Sequence, residues 1–321
     1  MTRNRVGIVD ATLREGNQAT GVQFTAADSI AIARLLDELG VDTIEIGHPL
    51  AGPNEHERTH AVAALGLKAE VLAHARAHPV DIRAVAETGA GWVGIFLGVN
   101  DITTRARVIG RSFRELVQMV SDSVKVAKDC GLSIRYSCED ASRTDDRFLI
   151  DVFGEAIAAG ADRVCYADTI GHAEPAEVAE KVRIMKAAFP ATEMEVHLHD
   201  DRGLAVASAL AAIDAGVDWV SASVNALGER CGITELCALL VNLGIRGERS
   251  LPDLDKLRAL SRLVAERSGV AVDYLRPVVG ENAFKHGSKL HRRATSYEPR
   301  AYDWIKEFIH NQELEAERKT A

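Results

Sequence analysis

A recurring helix–glycine–strand unit constrains the fold of this chain more than any other feature of its sequence. In each copy an amphipathic helical stretch ends at a glycine, which can adopt the left-handed conformation that closes a helix, and a short β-branched strand follows. The five copies are ELGVDTIEI from Glu38, ETGAGWVGI from Glu87, DCGLSIRYS from Asp129, AAGADRVCY from Ala158 and DAGVDWVSA from Asp214. Three further strands, VGIVD from Val6, LKAEVLAH from Leu67 and MEVHLH from Met194, bring the total to eight.

Eight strands that alternate with helices predict a (β/α)8 TIM barrel of the α/β class, because this alternation implies parallel pairing through right-handed crossovers. We expect the catalytic barrel over residues 1–245 and a short C-terminal helical extension over residues 246–321, with an amphipathic helix from Leu251 to Ser268. The alternative is an open doubly wound sheet. Its dinucleotide-binding version is weakened because no G-x-G-x-x-G follows the first strand.

Charge and composition argue against several classes of partner. The 321 residues include 38 Lys+Arg and 47 Asp+Glu, a formal net charge of −9, whereas binding to nucleic acid needs a basic surface. No apolar run approaches the ~18 residues of a membrane-spanning helix, and the N-terminus lacks a signal-peptide core, so we expect a cytoplasmic protein. The five cysteines form no C-x-x-C pair, which argues against a disulfide framework or a thiolate zinc site.

Polar residues collect where the predicted strands end. In a barrel of this kind the catalytic groups stand at the C-terminal ends of the strands, so this clustering predicts an active site at that face. The residues concerned are Asp10, Arg14, Glu15, Glu45, His48, His74, Arg135, Ser137, Glu139, Asp168, Thr169, His197, His199, Asp200 and Asn225.

The H-x-H pair of the seventh strand predicts a metal site. His197 and His199 are two residues apart, so both imidazoles point to the same face of the strand and enter the barrel mouth together. Glu15, on a loop at the same mouth, is the candidate acidic ligand, which leaves positions open for water and substrate. The alternative is that the histidines are satisfied core residues.

Arg135 and Ser137 also share one strand face. A planar guanidinium beside a hydroxyl suits the binding of a carboxylate. The alternative is that Arg135 forms an ion pair with Glu139 or Asp140. Together with the metal site, these residues indicate a small anionic substrate.

Three motifs resemble the DRE-TIM metallolyase superfamily, and within it the condensing synthases that make homocitrate, 2-isopropylmalate and citramalate. DATLREGNQ from Asp10 matches D-x-T-L-R-D/E-G-x-Q, HLHDDRGLA from His197 matches H-x-H-D-D/N-x-G-x-A, and NALGERCGIT from Asn225 matches N-G-x-G-E-R-x-G. The resemblance implies that Glu15, His197 and His199 bind a divalent metal. It also implies that Arg14 polarises the 2-oxo group of the substrate and stabilises the developing alkoxide.

Other elements resemble the homocitrate synthases of this superfamily. RYSCED from Arg135 implies that Arg135 and Ser137 bind the oxo acid with Glu139 close by. By the same resemblance Thr169 contacts the substrate carboxylate and His74 a distal carboxylate. His74 and Arg135 offer cations where the apolar side chain of a branched 2-oxo acid would have to lie, so such an acid is the least expected acceptor. Isoleucine at position 233 replaces an asparagine metal ligand of the isopropylmalate synthases.

FKHGSKLH from Phe284 is similar to F-x-H-K-A-G-x-H, a segment whose last histidine serves a neighbouring subunit's site as an acid or base. The resemblance therefore implies a catalytic role for His291 and a homodimer that exchanges C-terminal segments, which also act as an active-site lid. Gly287 and Lys289 depart from the family pattern. His48 and Arg76 also depart from it, either as surface residues or as extra cations for an acceptor more charged than 2-oxoglutarate, such as a phosphonate.

The expected reaction is a Claisen condensation of acetyl-CoA with a 2-oxo acid, followed by hydrolysis of the CoA thioester. 2-Oxoglutarate, which gives homocitrate, is the first candidate acceptor, and phosphonopyruvate, which gives 2-phosphonomethylmalate, is the second. His291 and Glu139 both remain candidates for the base that deprotonates acetyl-CoA. A lyase similar to hydroxymethylglutaryl-CoA lyase, using Cys231, and a non-enzymatic barrel protein are the competing hypotheses.

Overall fold

Eight parallel strands close into a barrel in the computed structural model of the chain, which describes residues 5–52, 54–306 and 308–309, without the side chains of residues 104 and 105. Each strand pairs with the next along the chain, and β8 returns to pair with β1 through Gly7 and Trp219. This closure confirms the predicted TIM barrel and excludes the open sheet. The strands are β1 Gly7–Asp10, β2 Thr43–Ile46, β3 Glu70–Arg76, β4 Trp92–Phe96, β5 Ser133–Cys138, β6 Arg163–Asp168, β7 Glu193–Leu198 and β8 Trp219–Ala222.

Helices surround the barrel, and local capping chemistry fixes where several of them begin. Thr25 and Ser112 each form a capping box with an acidic residue three positions later, which satisfies free backbone N–H groups. The helices are α1 Ala26–Glu38, α2 Glu55–Ala63, α3 Pro79–Thr88, α4 Asp101–Arg107, α5 Phe113–Asp129, α6 Asp146–Ala159, α7 Pro175–Ala188, α8 Ala205–Asp214, α9 Leu236–Ile245, α10 Leu254–Ser268 and α11 Lys289–Tyr297.

Two residues of the recurring helix–glycine–strand unit have clear structural roles, the glycine that ends the helix and an aspartate that follows it. Its glycine adopts positive φ in every copy, for example 113° at Gly160 after α6 and 101° at Gly216 after α8, where a β-carbon would be strained. An aspartate two residues later accepts the backbone N–H of the preceding strand in three copies. The pairs are Asp42 with Ile8, Asp162 with Ile134 and Asp218 with Met194, each at 2.8 Å.

The N-terminal end of the barrel is closed by a buried cation between aromatic rings. The guanidinium carbon of Arg163 lies 3.5 Å from the ring centroid of Trp219 and 4.8 Å from that of Trp92, a favourable cation–π arrangement. A β-carbon on Gly7 would lie 2.3 Å from the Trp219 ring, so glycine is required there. The floor of the barrel is therefore solid, and access to its interior is from the C-terminal face.

Residues after α9 leave the barrel pattern, as the sequence predicts. The helix expected from Leu251 to Ser268 is α10, three residues shorter at its start, and it contacts α1. The side chain of Asn225, after β8, binds Ser261 of α10 through two hydrogen bonds. In the described part of the chain no helix is both long and apolar enough to span a membrane. The division into units at residue 245 stays a prediction.

Candidate active site

Glu15, His197 and His199 come together at the C-terminal mouth of the barrel. Their candidate ligand atoms all lie within 4.8 Å of one another, and all three residues are buried. Nε2 of His197 is 3.7 Å from Glu15 Oε2, and Nε2 of His199 is 3.9 Å from Glu15 Oε1. Among the described residues this is the one cluster of three or more His, Cys, Asp and Glu side chains with such spacing.

The surroundings of these three residues fit a divalent metal ion. Nδ1 of His197 contacts Ser221 Oγ at 2.9 Å, which orients the ring and leaves Nε2 for a metal. The backbone N–H of Glu229 donates to Glu15 Oε1 at 3.1 Å. Nδ1 of His199 is buried and has no hydrogen-bond partner among the described residues, and a buried polar atom left without a partner marks a site for an ion or a ligand.

Both imidazoles are held neutral, as a metal ligand must be. Burial, together with the nearby Arg14 guanidinium, keeps the pKa of His197 well below its ordinary value. Burial also lowers the pKa of His199, against the opposing effect of Glu15. Ile233, by contrast, is fully buried and pairs with His199 only as a backbone bridge, so its side chain contributes no ligand.

A series of ion pairs between arginine and glutamate side chains extends from this cluster into the barrel interior. Arg14 forms ion pairs with Glu15 and with Glu45, whose Oε1 lies 2.9 Å from Arg14 Nε. Glu45 in turn contacts Arg135 at 3.1 Å, and Arg135 contacts Glu195 at 2.8 Å. Burial alone would raise the pKa of Glu45, but Arg135 and Arg14 hold it well below its usual range, so the carboxylate stays ionised.

The partners of Arg135 differ from the ion pair considered in the sequence. Glu139 pairs with Arg107 and Asp140 with Arg143, whereas Arg135 binds glutamates of β2 and β7 across the barrel interior. Nε of Arg135 and Oγ of Ser137 are both buried without a partner in the described part of the chain. Both residues line one cavity, so these two donors are candidates for contact with a ligand bound there.

That cavity, of about 260 Å³, brings together most of the predicted site residues. Arg14, Glu15, His74, Arg135, Ser137, Glu139, Thr169, His197 and His199 all line it. Arg107, Phe96, Glu229 and Arg230 line it as well. Glu229 and Arg230 belong to the NALGERCGIT motif, but none of the four was assigned a role in the site from the sequence. Arg107 belongs to an ordinary polar helix, DITTRAR, so no pattern in the sequence distinguishes it.

His74 is placed as expected, but its charge is not as expected. Its Nε2 lies 3.1 Å from Glu45 Oε1, and its ring stacks on Phe96 with centroids 4.8 Å apart. Burial and the neighbouring Arg14 hold the pKa of His74 well below its ordinary value. This direction favours a neutral imidazole in this position, whereas a cation was expected from the sequence.

Glu139 and Thr169 stand on the side of the cavity formed by β5 and β6. Burial raises the pKa of Glu139, although its ion pair with Arg107 opposes this shift. The Thr169 hydroxyl accepts the backbone N–H of Asp140 at 2.9 Å, which leaves its own proton free to donate.

His48 and Arg76 lie outside this cavity and share one counter-ion. Nε2 of His48 and Nε of Arg76 lie 2.7 Å and 2.6 Å from the same oxygen of Asp81. The side chain of Arg76 is 62% exposed. Asp81 offsets part of the positive charge that the two residues would bring to a substrate. This contact could not be predicted from the sequence, because Asp81 belongs to helix α3.

His291 does not line the cavity of its own chain. It lies on α11, where its ring stacks on Tyr302 with centroids 4.0 Å apart, and His286 contacts Asp303 at 2.7 Å. Cys231, which follows the lining residue Arg230 in the chain, is exposed and does not itself line the cavity.

Several strand-end polar residues support the backbone and do not face the cavity. Asp10 accepts the N–H and hydroxyl of Thr12, and burial raises its pKa to about 7. Asp168 accepts the N–H groups of His172 and Ala173, and Asp200 accepts that of Ala205. These contacts fix the loops that carry the lining residues.

Comparison with known proteins identifies sequence relatives over most of the chain. Residues 5–264 match the HMGL-like family. Homocitrate synthase of Saccharolobus islandicus strain L.S.2.15 is 37% identical over 305 residues, and that of Sulfolobus acidocaldarius is 35% identical over the same length. Each alignment covers 94% of this chain but 66% and 65%, respectively, of the relative, so the chain spans just under two thirds of these proteins.

Solved structures support the fold independently. The HMG-CoA lyase of Bacillus subtilis superposes with a TM-score of 0.75 at 21% identity, covering 85% of this chain and 97% of the lyase. Hydroxymethylglutaryl-CoA lyase of Pseudomonas aeruginosa gives a TM-score of 0.76 at 18% identity, covering 92% of this chain and 100% of that one. At such identities the likeness establishes a shared barrel and no shared reaction.

Proposed function

Because the chain belongs to the HMGL-like family, within the DRE-TIM superfamily, we propose that it catalyses the condensation of acetyl-CoA with a 2-oxo acid. The observation that carries the proposal is the buried Glu15–His197–His199 cluster beside Arg14. The relatives at 35–37% identity are named homocitrate synthases, which supports 2-oxoglutarate as the acceptor and homocitrate as the product.

Glu15, His197 and His199 would hold a divalent metal ion, which when bound supplies Lewis-acid polarisation of the substrate carbonyl. Arg14 lies between this cluster and Glu45, so its guanidinium is fixed where negative charge would develop on the 2-oxo oxygen. Nε of Arg135 and Oγ of Ser137, which have no partner among the described residues, and the hydroxyl of Thr169, which accepts the N–H of Asp140, belong to residues that line the same cavity. Their donors suit the substrate's carboxylate.

In the proposed reaction a base removes a proton from the methyl group of acetyl-CoA. The resulting carbanion carbon bonds to the carbonyl carbon of the 2-oxo acid, and the carbonyl oxygen becomes a hydroxyl by taking up a proton. Water then cleaves the thioester and releases CoA and a carboxylate. Glu139 lines the cavity and is a candidate base from within the chain; His291 is the other candidate, contributed by a second subunit.

The pairing of His48 and Arg76 with Asp81 bears on the acceptor. Because Asp81 supplies a shared negative charge, these residues add less positive charge than the sequence suggests, which weakens the support for phosphonopyruvate. A lyase remains the alternative from another reaction class, since Cys231 is exposed and follows Arg230, which lines the cavity.

We further propose that the protein is a homodimer in which C-terminal segments are exchanged. Leu290 and Tyr297 of α11 and Trp304 beyond it are 69%, 81% and 50% exposed, and exposed apolar side chains on one segment favour an interface. His291 does not line the cavity of its own chain, which is consistent with a catalytic role in the active site of the second subunit.

The test is release of free CoA from acetyl-CoA by purified protein with added Mg²⁺, Mn²⁺ or Zn²⁺. The acceptors are 2-oxoglutarate, oxaloacetate, pyruvate, 2-oxoisovalerate and phosphonopyruvate. We expect release that requires both a metal and 2-oxoglutarate. No release with any acceptor, together with cleavage of HMG-CoA, would assign the protein to the lyases.

A further inference from the structure

The wall of the barrel opposite the metal-binding cluster is formed by β4. Glu15 follows β1 and the two histidines belong to the end of β7, while β4 lies three strands from each in the closed order β1 to β8. An acceptor held at the cluster by its carboxylate and 2-oxo oxygens must therefore extend its side chain across the cavity towards β4.

Phe96, the last residue of β4, stands on this opposite wall. It lines the 260 Å³ cavity, and it also lines two neighbouring cavities at the mouth, of about 430 and 620 Å³. Two side chains contact its ring: His74 stacks on it with an interplanar angle of 13°, and the Arg107 guanidinium carbon lies 5.7 Å from its centroid. Arg107 is fixed in turn by Glu139.

Below Phe96 the same wall is closed by side chains of neighbouring strands. Gly94 faces the interior two residues earlier on β4, and a β-carbon there would lie 2.7 Å from Arg135 Nη2, 2.8 Å from Leu72 Cδ2 and 2.9 Å from His74 Cδ2. Those three side chains therefore fill the space that a residue at position 94 would occupy. Arg135 and His74 both contact Glu45, whereas Phe96 can be replaced without breaking an ion pair.

The space behind the ring is largely apolar. The 430 Å³ cavity shares Phe96, Arg107 and Glu139 with the site cavity. Apolar side chains form much of the rest of its lining, and Arg76 and Asp81 stand among its polar groups; the apolar side chains are Leu50, Val80, Leu97, Val108 and Met119. An alkyl chain that passed the ring would enter surroundings that favour its burial.

We propose that the phenyl ring of Phe96 sets the maximum chain length of the 2-oxo acid acceptor. This inference rests on the function proposed above and names a specificity-determining residue for it. The ring closes the acceptor space on the side opposite the metal cluster, and its removal joins that space to the apolar cavity behind it.

The experiment is calorimetric binding of two 2-oxo acids of equal charge, 2-oxobutyrate and 2-oxooctanoate, to Mn²⁺-loaded protein. Wild type is compared with Phe96→Ala and with Phe96→Leu, which retains most of the packing. Phe148→Ala is the matched control, because Phe148 lies on the outer surface of α6 against Phe113 and is 40% exposed. Binding does not require turnover, so the result is independent of whether condensation occurs.

We expect Phe96→Ala to shift the ratio of the two dissociation constants by about tenfold or more in favour of 2-oxooctanoate, the scale at which apolar pockets discriminate chain length. Phe96→Leu should give a smaller shift in the same direction, and Phe148→Ala none. An unchanged ratio in Phe96→Ala, or no binding of either acid to wild type and variant, would overturn the inference. A shifted ratio in a protein that condenses no acceptor would instead refute the proposed function and leave the role of Phe96 intact.

Discussion

Replacing Glu195 by glutamine should destabilise the barrel far more than the same change at Glu193. Both residues belong to β7 and both contact Arg163, at 3.3 and 3.4 Å. The Glu195 side chain is 0% exposed and also binds Arg135 at 2.8 Å, whereas that of Glu193 is 51% exposed. The two variants therefore differ mainly in burial and in the second arginine.

The size of the effect follows from the net charge of the series of buried ion pairs. Three arginines and three glutamates form this series, so its net charge is zero; they are Arg14, Arg135, Arg163, Glu15, Glu45 and Glu195. Glu195→Gln leaves one uncompensated buried guanidinium, which cannot lose its proton, and breaking a buried pair costs about 3–5 kcal/mol. An exposed pair such as that of Glu193 contributes about 1 kcal/mol or less.

Differential scanning calorimetry converts these energies into temperatures. An unfolding entropy of ~2.1 cal/mol/K per residue gives about 0.7 kcal/mol/K for 321 residues. Glu195→Gln should then lower Tm by roughly 4–7 °C, and Glu193→Gln by about 1 °C or less. Equal decreases in Tm for the two variants would refute the claim that the buried ion pairs of Glu195 stabilise the barrel more than the exposed ion pair of Glu193.

Three further predictions concern the site. Glu15→Gln should weaken Mn²⁺ binding by about 100-fold or more in calorimetric titration, since it removes the anionic ligand; unchanged affinity would place the metal elsewhere. His74→Leu should reduce kcat/KM for 2-oxoglutarate far more than for pyruvate, and equal losses would remove the case for a distal-carboxylate contact. Because the pKa of His74 is lowered in the folded state, the unfolded chain takes up this proton first as pH falls below about 6.5, so stability should decrease there. Thermal melts from pH 7.5 to 5.5 should show a smaller decrease for His74→Gln than for wild type, and identical decreases would contradict the assignment.

The sequence was sufficient to predict the barrel because its determinants are local. Each helix–glycine–strand unit contains its own helix end and strand start, and the positive φ of residues such as Gly160 and Gly216 is a property of a few neighbouring atoms. The H-x-H pair was equally accessible, because residues i and i+2 of a strand face the same side. The juxtaposition of Glu15 with His197 and His199 followed from closure of the barrel.

Contacts between inward-facing residues of distant strands could not be predicted in the same way. Arg135 binds Glu45 and Glu195, which are 90 and 60 positions away in the chain. From the sequence, only the carboxylates close to Arg135 along the chain, Glu139 and Asp140, were considered as its ion-pair partners. The charge of His74 depends on burial and on Arg14, neither of which is visible in the sequence around it. Arg107 and Phe96 carry no motif, and only the shape of the mouth identifies them.

The most direct test of the proposed function is carbon NMR of a reaction containing acetyl-CoA labelled with ¹³C in its methyl group, 2-oxoglutarate, Mg²⁺ and the purified protein. We predict that the label appears in a new methylene carbon of homocitrate as the methyl signal of acetyl-CoA disappears. The metal cluster and the free donors of Arg135 and Ser137 are then explained together. Label that remains in acetyl-CoA, or that appears only in acetate, would contradict carbon–carbon bond formation at this site.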